Sequence, residues 1–400
     1  MRRVGPSLNI IVLIGLIGCS QVPAVSSLPV TSQTSQSKLS SSNFQTLHIF
    51  KETRDGIVPV GAFLALSGKL YGTTNFGGDP SKDCTPGPGC GTIYVINKSG
   101  KQTVFYRFPG DSSGTRPYAG LIDLNGTLYG TTQTGGKKNI GTVFAITTGG
   151  SESVICSFNG KDGDDPRASL TSVKGALYGT TYHGGSAATG TVFTVSASGT
   201  EKVLHNFKGG ADGALPLGAL IEVNNMLYGT TSLGGTSDDG TVFEISPTGA
   251  NYSVLYNFQG GTDGAFPFAG LTELNGTLYG TTQQGGEHNK GTVFAITAAG
   301  SEKVLHSFGA GMDGTKPFAG LTALNGQFYG TTADGGSKNK GTIYAITPTG
   351  SEQVLHDFAG GPGGRVPYAN LTAMGGALYG TTLFGGRPGA GVGTVFKLSL

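Results

Sequence analysis

The sequence predicts an all-β protein, a seven-bladed β-propeller with four antiparallel strands per blade, on three observations. A Tyr-Gly-Thr-Thr motif recurs seven times at nearly even spacing. Glycine supplies 72 of the 400 residues, yet 37% of the chain is still hydrophobic. The chain also begins on the last strand of a repeat and ends on the third strand of another.

The motif starts at Tyr71, Tyr129, Tyr178, Tyr228, Tyr279, Tyr329 and Tyr379, at spacings of 58, 49, 50, 51, 50 and 50 residues. Residues 267–308, PFAGLTELNGTLYGTTQQGGEHNKGTVFAITAAGSEKVLHSF, show the frame. This period is the signature of a propeller blade and is too long for one coil of a β-helix. Within the frame, strand a is expected over residues 269–274 and strand b over 278–282. The Asn275-Gly276 pair between them suits a tight hairpin with positive φ. Strand c follows at 291–297 and strand d at 303–308. Apolar residues fall on both faces, as in strands packed between neighbours.

The glycine content excludes a helical bundle, because each glycine weakens a helix interior by about 1 kcal/mol relative to alanine. Many short strands with glycine-rich turns leave a sandwich, barrel or propeller, and the period selects the last.

The phase of the repeat predicts how the ring closes. Seven d strands exist only if residues 44–50, FQTLHIF, are counted, and the last repeat stops on its c strand at 393–398. The N-terminal strand is therefore expected to pair with the C-terminal one and cover the open edges of the array. A solenoid would need capping repeats instead, and the sequence has none.

The frame resembles kelch propellers, in which the second strand ends in a glycine pair and the fourth carries a large aromatic. Phenylalanine stands here where kelch has tryptophan. The Leu-Tyr-Gly-Thr-Thr…Gly-Gly…Gly-Thr-Val-Phe pattern is also similar to the bacterial "GloVer" tandem-repeat family, whose members carry varied membrane or surface anchors. The resemblance covers residues 43–400. It implies a surface propeller and supplies no activity or site.

Residues 1–18 read as a lipoprotein signal peptide. Arg2 and Arg3 precede an apolar run from Leu8 to Ile17, which is too short for a mature membrane span. The run ends in Leu16-Ile17-Gly18-Cys19, which resembles the lipobox of bacterial lipoproteins and implies lipidation at Cys19. Acyl chains add about 0.8 kcal/mol of membrane affinity per buried methylene, so a multiply acylated cysteine anchors stably. Ser20 follows where an aspartate often marks inner-membrane retention, which points to the outer membrane or cell surface. Residues 19–42, rich in Ser, Thr and Gln, cannot bury enough apolar surface to fold and read as a flexible tether. Losing residues 1–18 removes Arg2 and Arg3 and no acid, leaving 24 residues of each sign. No nucleic-acid partner is expected of so balanced a chain, and a monomer is expected.

Strand order places the b–c loops and d–a connections on one rim and the short a–b and c–d turns on the other. The first rim varies more and is the expected binding face. Its b–c loops carry Tyr182, His183, Asp238, Asp239, Glu287 and His288. Its d–a connections carry a repeated Asp-Gly at Asp55, Asp162, Asp212, Asp263 and Asp313, with Asp164 and Asp165 close behind Asp162. These aspartates read first as turn residues, which bond their own backbone beside a positive-φ glycine. The alternative is a carboxylate ring for a cation or polyol. Four of the six histidines, His48, His205, His306 and His356, share one position in the outermost strand of separate blades, too far apart to share a metal. No metal site and no cofactor are expected. Cys84 and Cys90 lie in the one enlarged b–c loop and are expected to form a disulfide. Cys156 reads as a buried free thiol.

No zinc-protease motif or phosphate loop occurs. The leading expectation is an extracytoplasmic binding or interaction module for a protein or glycan. One alternative is a carbohydrate-active lyase or hydrolase on the loop face, marked by non-repeat polar residues clustered at one channel mouth. Another is a structural part of an envelope assembly. The anchor is directly testable. Cys19→Ser is expected to abolish metabolic labelling with fatty acid and release the protein from membranes; unchanged membrane association contradicts the assignment.

Overall fold

In every repeat the glycine of Tyr-Gly-Thr-Thr lies opposite an aromatic of strand c. The pairs are Gly72–Tyr94, Gly130–Phe144, Gly179–Phe193, Gly229–Phe243, Gly280–Phe294, Gly330–Tyr344 and Gly380–Phe396. A Cβ on any of these glycines would lie closer than 3.0 Å to the ring. The ring therefore crosses directly over strand b and is fully buried.

The same ring meets the preceding blade. Phe50, Phe108, Phe158, Phe207, Phe258, Phe308 and Phe358, each just after a d strand, stand edge-to-face on Tyr94, Phe144, Phe193, Phe243, Phe294, Tyr344 and Phe396. Their centroids are 5.0–5.3 Å apart. Such pairs contribute about 0.5–1.5 kcal/mol each beyond burial.

These contacts assemble seven sheets, each in the antiparallel order a-b-c-d. The computed structural model describes residues 43–51, 53–79, 81, 83–84, 87–386 and 391–400. The expected signal peptide (1–18), Cys19 and the tether (19–42) lie outside them. In the fifth blade the strands are Thr272–Leu274, Thr277–Thr282, Thr292–Thr297 and Glu302–Ser307. Each strand a touches strand a of both neighbours, the seventh touching the first, so the seven surround the axis. Strand a is shorter than the expected 269–274. Its first residues turn their backbone to the preceding blade instead of to strand b: the carbonyl of Ala269 accepts from Thr230 Oγ1 at 2.9 Å.

The N-terminal strand closes the ring. Phe44–Ile49 pairs antiparallel with Thr394–Ser399, from Phe44 opposite Leu398 to Ile49 opposite Thr394. Its register shifts between Thr46 and His48, and every other c–d pair shifts at the corresponding place. Thr372 Oγ1 donates to the Phe63 carbonyl at 2.9 Å, joining the seventh blade to the first on the inside.

The outer edge of each blade boundary is built from strand d. The residue opening one d strand reaches back to the preceding blade's histidine or tyrosine and its Asp-Gly turn. Tyr252 stacks on His205 at 3.7 Å, and Phe44 stacks on His356 at 3.6 Å. The aspartates are turn residues in the structure. Asp212 accepts from the Lys208 N–H, Asp263 from Gln259 and Asp313 from Gly309, at 2.7–3.0 Å. Their other contacts hold the d strand: Asp212 with His205, Asp263 with Tyr256, Asp313 with His306. Among the described residues no three of His, Cys, Asp and Glu come close enough to share an ion. Cys156 is a free thiol as expected but only half-buried; burial pushes it up to about 12.

Four boundaries place a glutamate in the reaching position. Burial, then the facing Asp263, push Glu302 up to about 8. Burial also pushes Glu201 and Glu352 up to about 7 and raises Glu152. These carboxyls hold a proton more tightly folded than unfolded.

Two predictions follow from the ring and its outer edge. Deleting residues 19–42 should leave the melting temperature unchanged. Deleting 19–52 should lower it by several degrees or cause precipitation, because the c strand of the last blade becomes a bare edge; equal melting of both deletions contradicts the closure. The glutamates set a pH dependence. Their contribution is complete below the ordinary glutamate value of 4.5 and is lost as pH rises through 7 to 8. Burial lowers His48, His205 and His356, which acts oppositely below 6.5. The melting temperature should therefore fall between pH 6.5 and 8.5. Glu302→Gln, which mimics the protonated acid, should reduce that fall and leave melting at pH 5 unchanged. Identical profiles for the two proteins in a calorimetric pH series contradict the assignment.

Candidate functional site

The second threonine of each motif places the loop face. Its Oγ1 lies 2.8–2.9 Å from the Oγ1 of the threonine opening strand c, in all seven blades. The Asp-Gly glycine (or its equivalent) rests on this pair. Gly56, Gly114, Gly163, Gly213, Gly264, Gly314 and Gly364 all have positive φ, and a Cβ there would run into the threonines. The d–a connection is thereby seated against the end of strands b and c.

From that seat the chain makes a strained step. The residue before proline has φ of 55–59° in every blade: Val58, Arg116, Asp165, Leu215, Phe266, Lys316 and Val366. A β-branched residue there is an outlier. Its N–H donates to a carbonyl of the preceding blade at 2.8–3.1 Å each time. The proline packs where a glycine of the preceding blade leaves no Cβ, as at Gly291 against Pro317 and Gly393 against Pro59.

The residue after the proline then faces the axis. The seven are Val60, Tyr118, Arg167, Leu217, Phe268, Phe318 and Tyr368, and they line a cavity of about 170 Å³ together with small residues such as Gly61, Gly120 and Gly270. Four of them form an arc of ring contacts: Phe268–Phe318 at 5.5 Å, Phe318–Tyr368 at 5.1 Å and Tyr368–Tyr118 at 6.2 Å. Tyr118 donates to the Tyr368 hydroxyl at 2.9 Å across the small Val60. Burial pushes both phenols up.

Polar groups gather at one end of this arc. The Arg167 guanidinium lies 5.9 Å from the Tyr118 ring and 4.3 Å from the Tyr182 ring. Its Nε and Nη2 donate to Asp165 Oδ2 at 2.9 and 2.5 Å. Tyr182 donates its N–H to the Asp165 carbonyl, and Asp164 and His183 exchange backbone hydrogen bonds at 2.9 and 3.0 Å. Burial, then neighbouring Asp165, raise the Asp164 carboxyl.

Of the expected residues, Tyr182, His183, Asp164 and Asp165 thus come together. The rest do not join them. Asp162 caps the turn at Asn159, and Asp212, Asp263 and Asp313 hold the outer edge. Asp238 accepts from the Gly234 N–H inside its own loop, and burial raises the adjacent Asp239. Glu287 and His288 are exposed in another blade. Cys84 and Cys90 form the disulfide, with Cα atoms 5.1 Å apart. Arg167, Tyr118, Phe268, Phe318 and Tyr368 escaped the sequence reading. Their signal is one position, directly after proline, that changes from blade to blade inside a frame that reads Pro-X-Ala-Gly-Leu in three blades and keeps the proline and a closing Leu or Phe in all seven.

Fold and site define the molecule as a closed seven-bladed β-propeller with an asymmetric axial mouth. The Gloeobacter/Verrucomicrobia repeat model matches residues 36–193, 85–294 and 175–396, and the chain belongs to that family. No curated protein sequence matches it. Among solved structures it is similar to an oligogalacturonate lyase in complex with manganese, at 11% identity and TM-score 0.55, over 89% of this chain and 93% of that one. An oligogalacturonate lyase from Vibrio parahaemolyticus gives 11% identity and TM-score 0.53 over the same shares. At this identity the likeness is one of fold.

Proposed function

We propose that the chain is a binding module, held by a lipid at Cys19 on the outer membrane or cell surface, whose ligand occupies the axial mouth. The observation that carries this reading is the ring of seven side chains after the prolines. The proline before them is present in every blade, and their own identities vary to give the mouth an aromatic arc and one arginine. Concave apolar surface with a few convergent polar groups is the usual composition of a ligand site.

The one-sided polar cluster favours a second reading, a carbohydrate-active enzyme. Asp164 is the titratable group there that burial moves upward, the direction a general acid needs. The likeness of fold to the two lyases is compatible with it.

A thermal-shift screen of the full chain against glycans, metabolites and envelope proteins tests the site. A ligand that raises the melting temperature of the wild type should lose its effect in Phe318→Ala and keep it in a Glu287→Ala, His288→Ala double variant. The reverse pattern would move the site to the loop tips and overturn the reading.

A further inference from the structure

Resting on the reading of the mouth as the binding site, we propose that its ligand is the uncharged end of a glycan. A terminal pyranose stacks on the Phe318–Tyr368 surface and presents its hydroxyls to the Arg167 guanidinium, whose charge Asp165 balances from behind.

The aromatic arc supplies the first half of the recognition. Phe318 and Tyr368 lie nearly parallel, 28° between ring planes, with Phe268 edge-on to Phe318 and Tyr118 edge-on to Tyr368. A pyranose has an apolar face of C–H groups that carry slight positive charge, and it packs against the negative face of an aromatic ring. A long alkyl chain would gain nothing from the polar groups beside that surface.

The ion pair supplies the second half. Arg167 binds Asp165 through Oδ2 alone. That leaves Nη1 of Arg167 outside the ion pair, and Arg167 is the member of the pair that lines the cavity. A guanidinium N–H on the cavity wall matches a sugar hydroxyl, which accepts as well as donates.

Charge selects an uncharged sugar over an acidic one. Two arginines, Arg116 and Arg167, face two carboxylates, Asp164 and Asp165, and the charges cancel locally. A uronate carboxylate would meet Asp165 where it met Arg167. Size selects an end over the middle of a chain. The cavity is about 170 Å³ and is ringed by all seven blades.

The test is calorimetric titration of the purified full chain in detergent with neutral gluco-, manno-, xylo- and galacto-oligosaccharides, and with oligogalacturonate as the acidic comparator. At least one neutral oligosaccharide should bind, and Phe318→Ala and Arg167→Gln should each weaken it about tenfold. Unliganded melting of both variants near the wild type shows that they fold. Binding of the acidic sugar alone overturns the proposal. Failure of every neutral sugar, while some other compound stabilises the wild type and not Phe318→Ala, overturns the glycan class and leaves the mouth as the site. Neutral-sugar binding that neither variant changes removes the mouth itself.

Discussion

A glycine beneath an aromatic ring holds this propeller together. Because strand b has no side chain at that point, the strand c ring drops onto its backbone and still shows a face to the phenylalanine of the preceding blade. Packing within a blade and packing between blades are therefore the same contact. Burying one such ring is worth about 1.5–3 kcal/mol, and the edge-to-face geometry adds to it. A buried hydrogen bond nets about 0.5–1.5 kcal/mol. Contact for contact the aromatic layer thus contributes more than a buried hydrogen bond, and Phe50, just after the N-terminal strand, completes it against Tyr94.

The threonines do a different job. Their paired hydroxyls fix where the d–a connection lands, and that landing fixes the proline and the residue after it. The left-handed residue before each proline costs of order 1–3 kcal/mol of strain. It persists because a hydrogen bond to the preceding blade and the proline's seat against a glycine hold it from both sides. The left-handed step turns the chain sharply inward, which brings the next side chain to the axis. Strain and site are coupled through one residue of spacing.

Much of this architecture is legible in the sequence. The period gave the blade count, and the stray d strand gave the closure, because a propeller has to satisfy its last edge. The disulfide was readable from two cysteines in the one enlarged loop. Strand a is shorter than the sequence suggests, since nothing local says that the backbone at Ala269 serves the preceding blade instead of strand b. The mouth was hidden for a related reason. A position such as Arg167 has no motif of its own; its importance appears only once seven copies of it are known to meet on one axis. Asp165 was singled out for lying in an acidic cluster, whereas its side chain is defined by a partner two residues along the chain.

The division of labour within a repeat explains how a nearly uniform ring carries a non-uniform site. Residues that set the fold, such as Gly280, Phe294 and Thr282, are locked by contacts on every side, and a change at any of them would shift a neighbour. The residue after proline is positioned by its backbone, and its side chain meets the cavity. Val60 is smaller than the tyrosines of the second and seventh blades, whose hydroxyls meet at 2.9 Å. Asp165 balances the arginine at Arg167. A closed propeller built this way separates what holds it together from what it recognises, and the mouth can change one side chain at a time without loosening the ring.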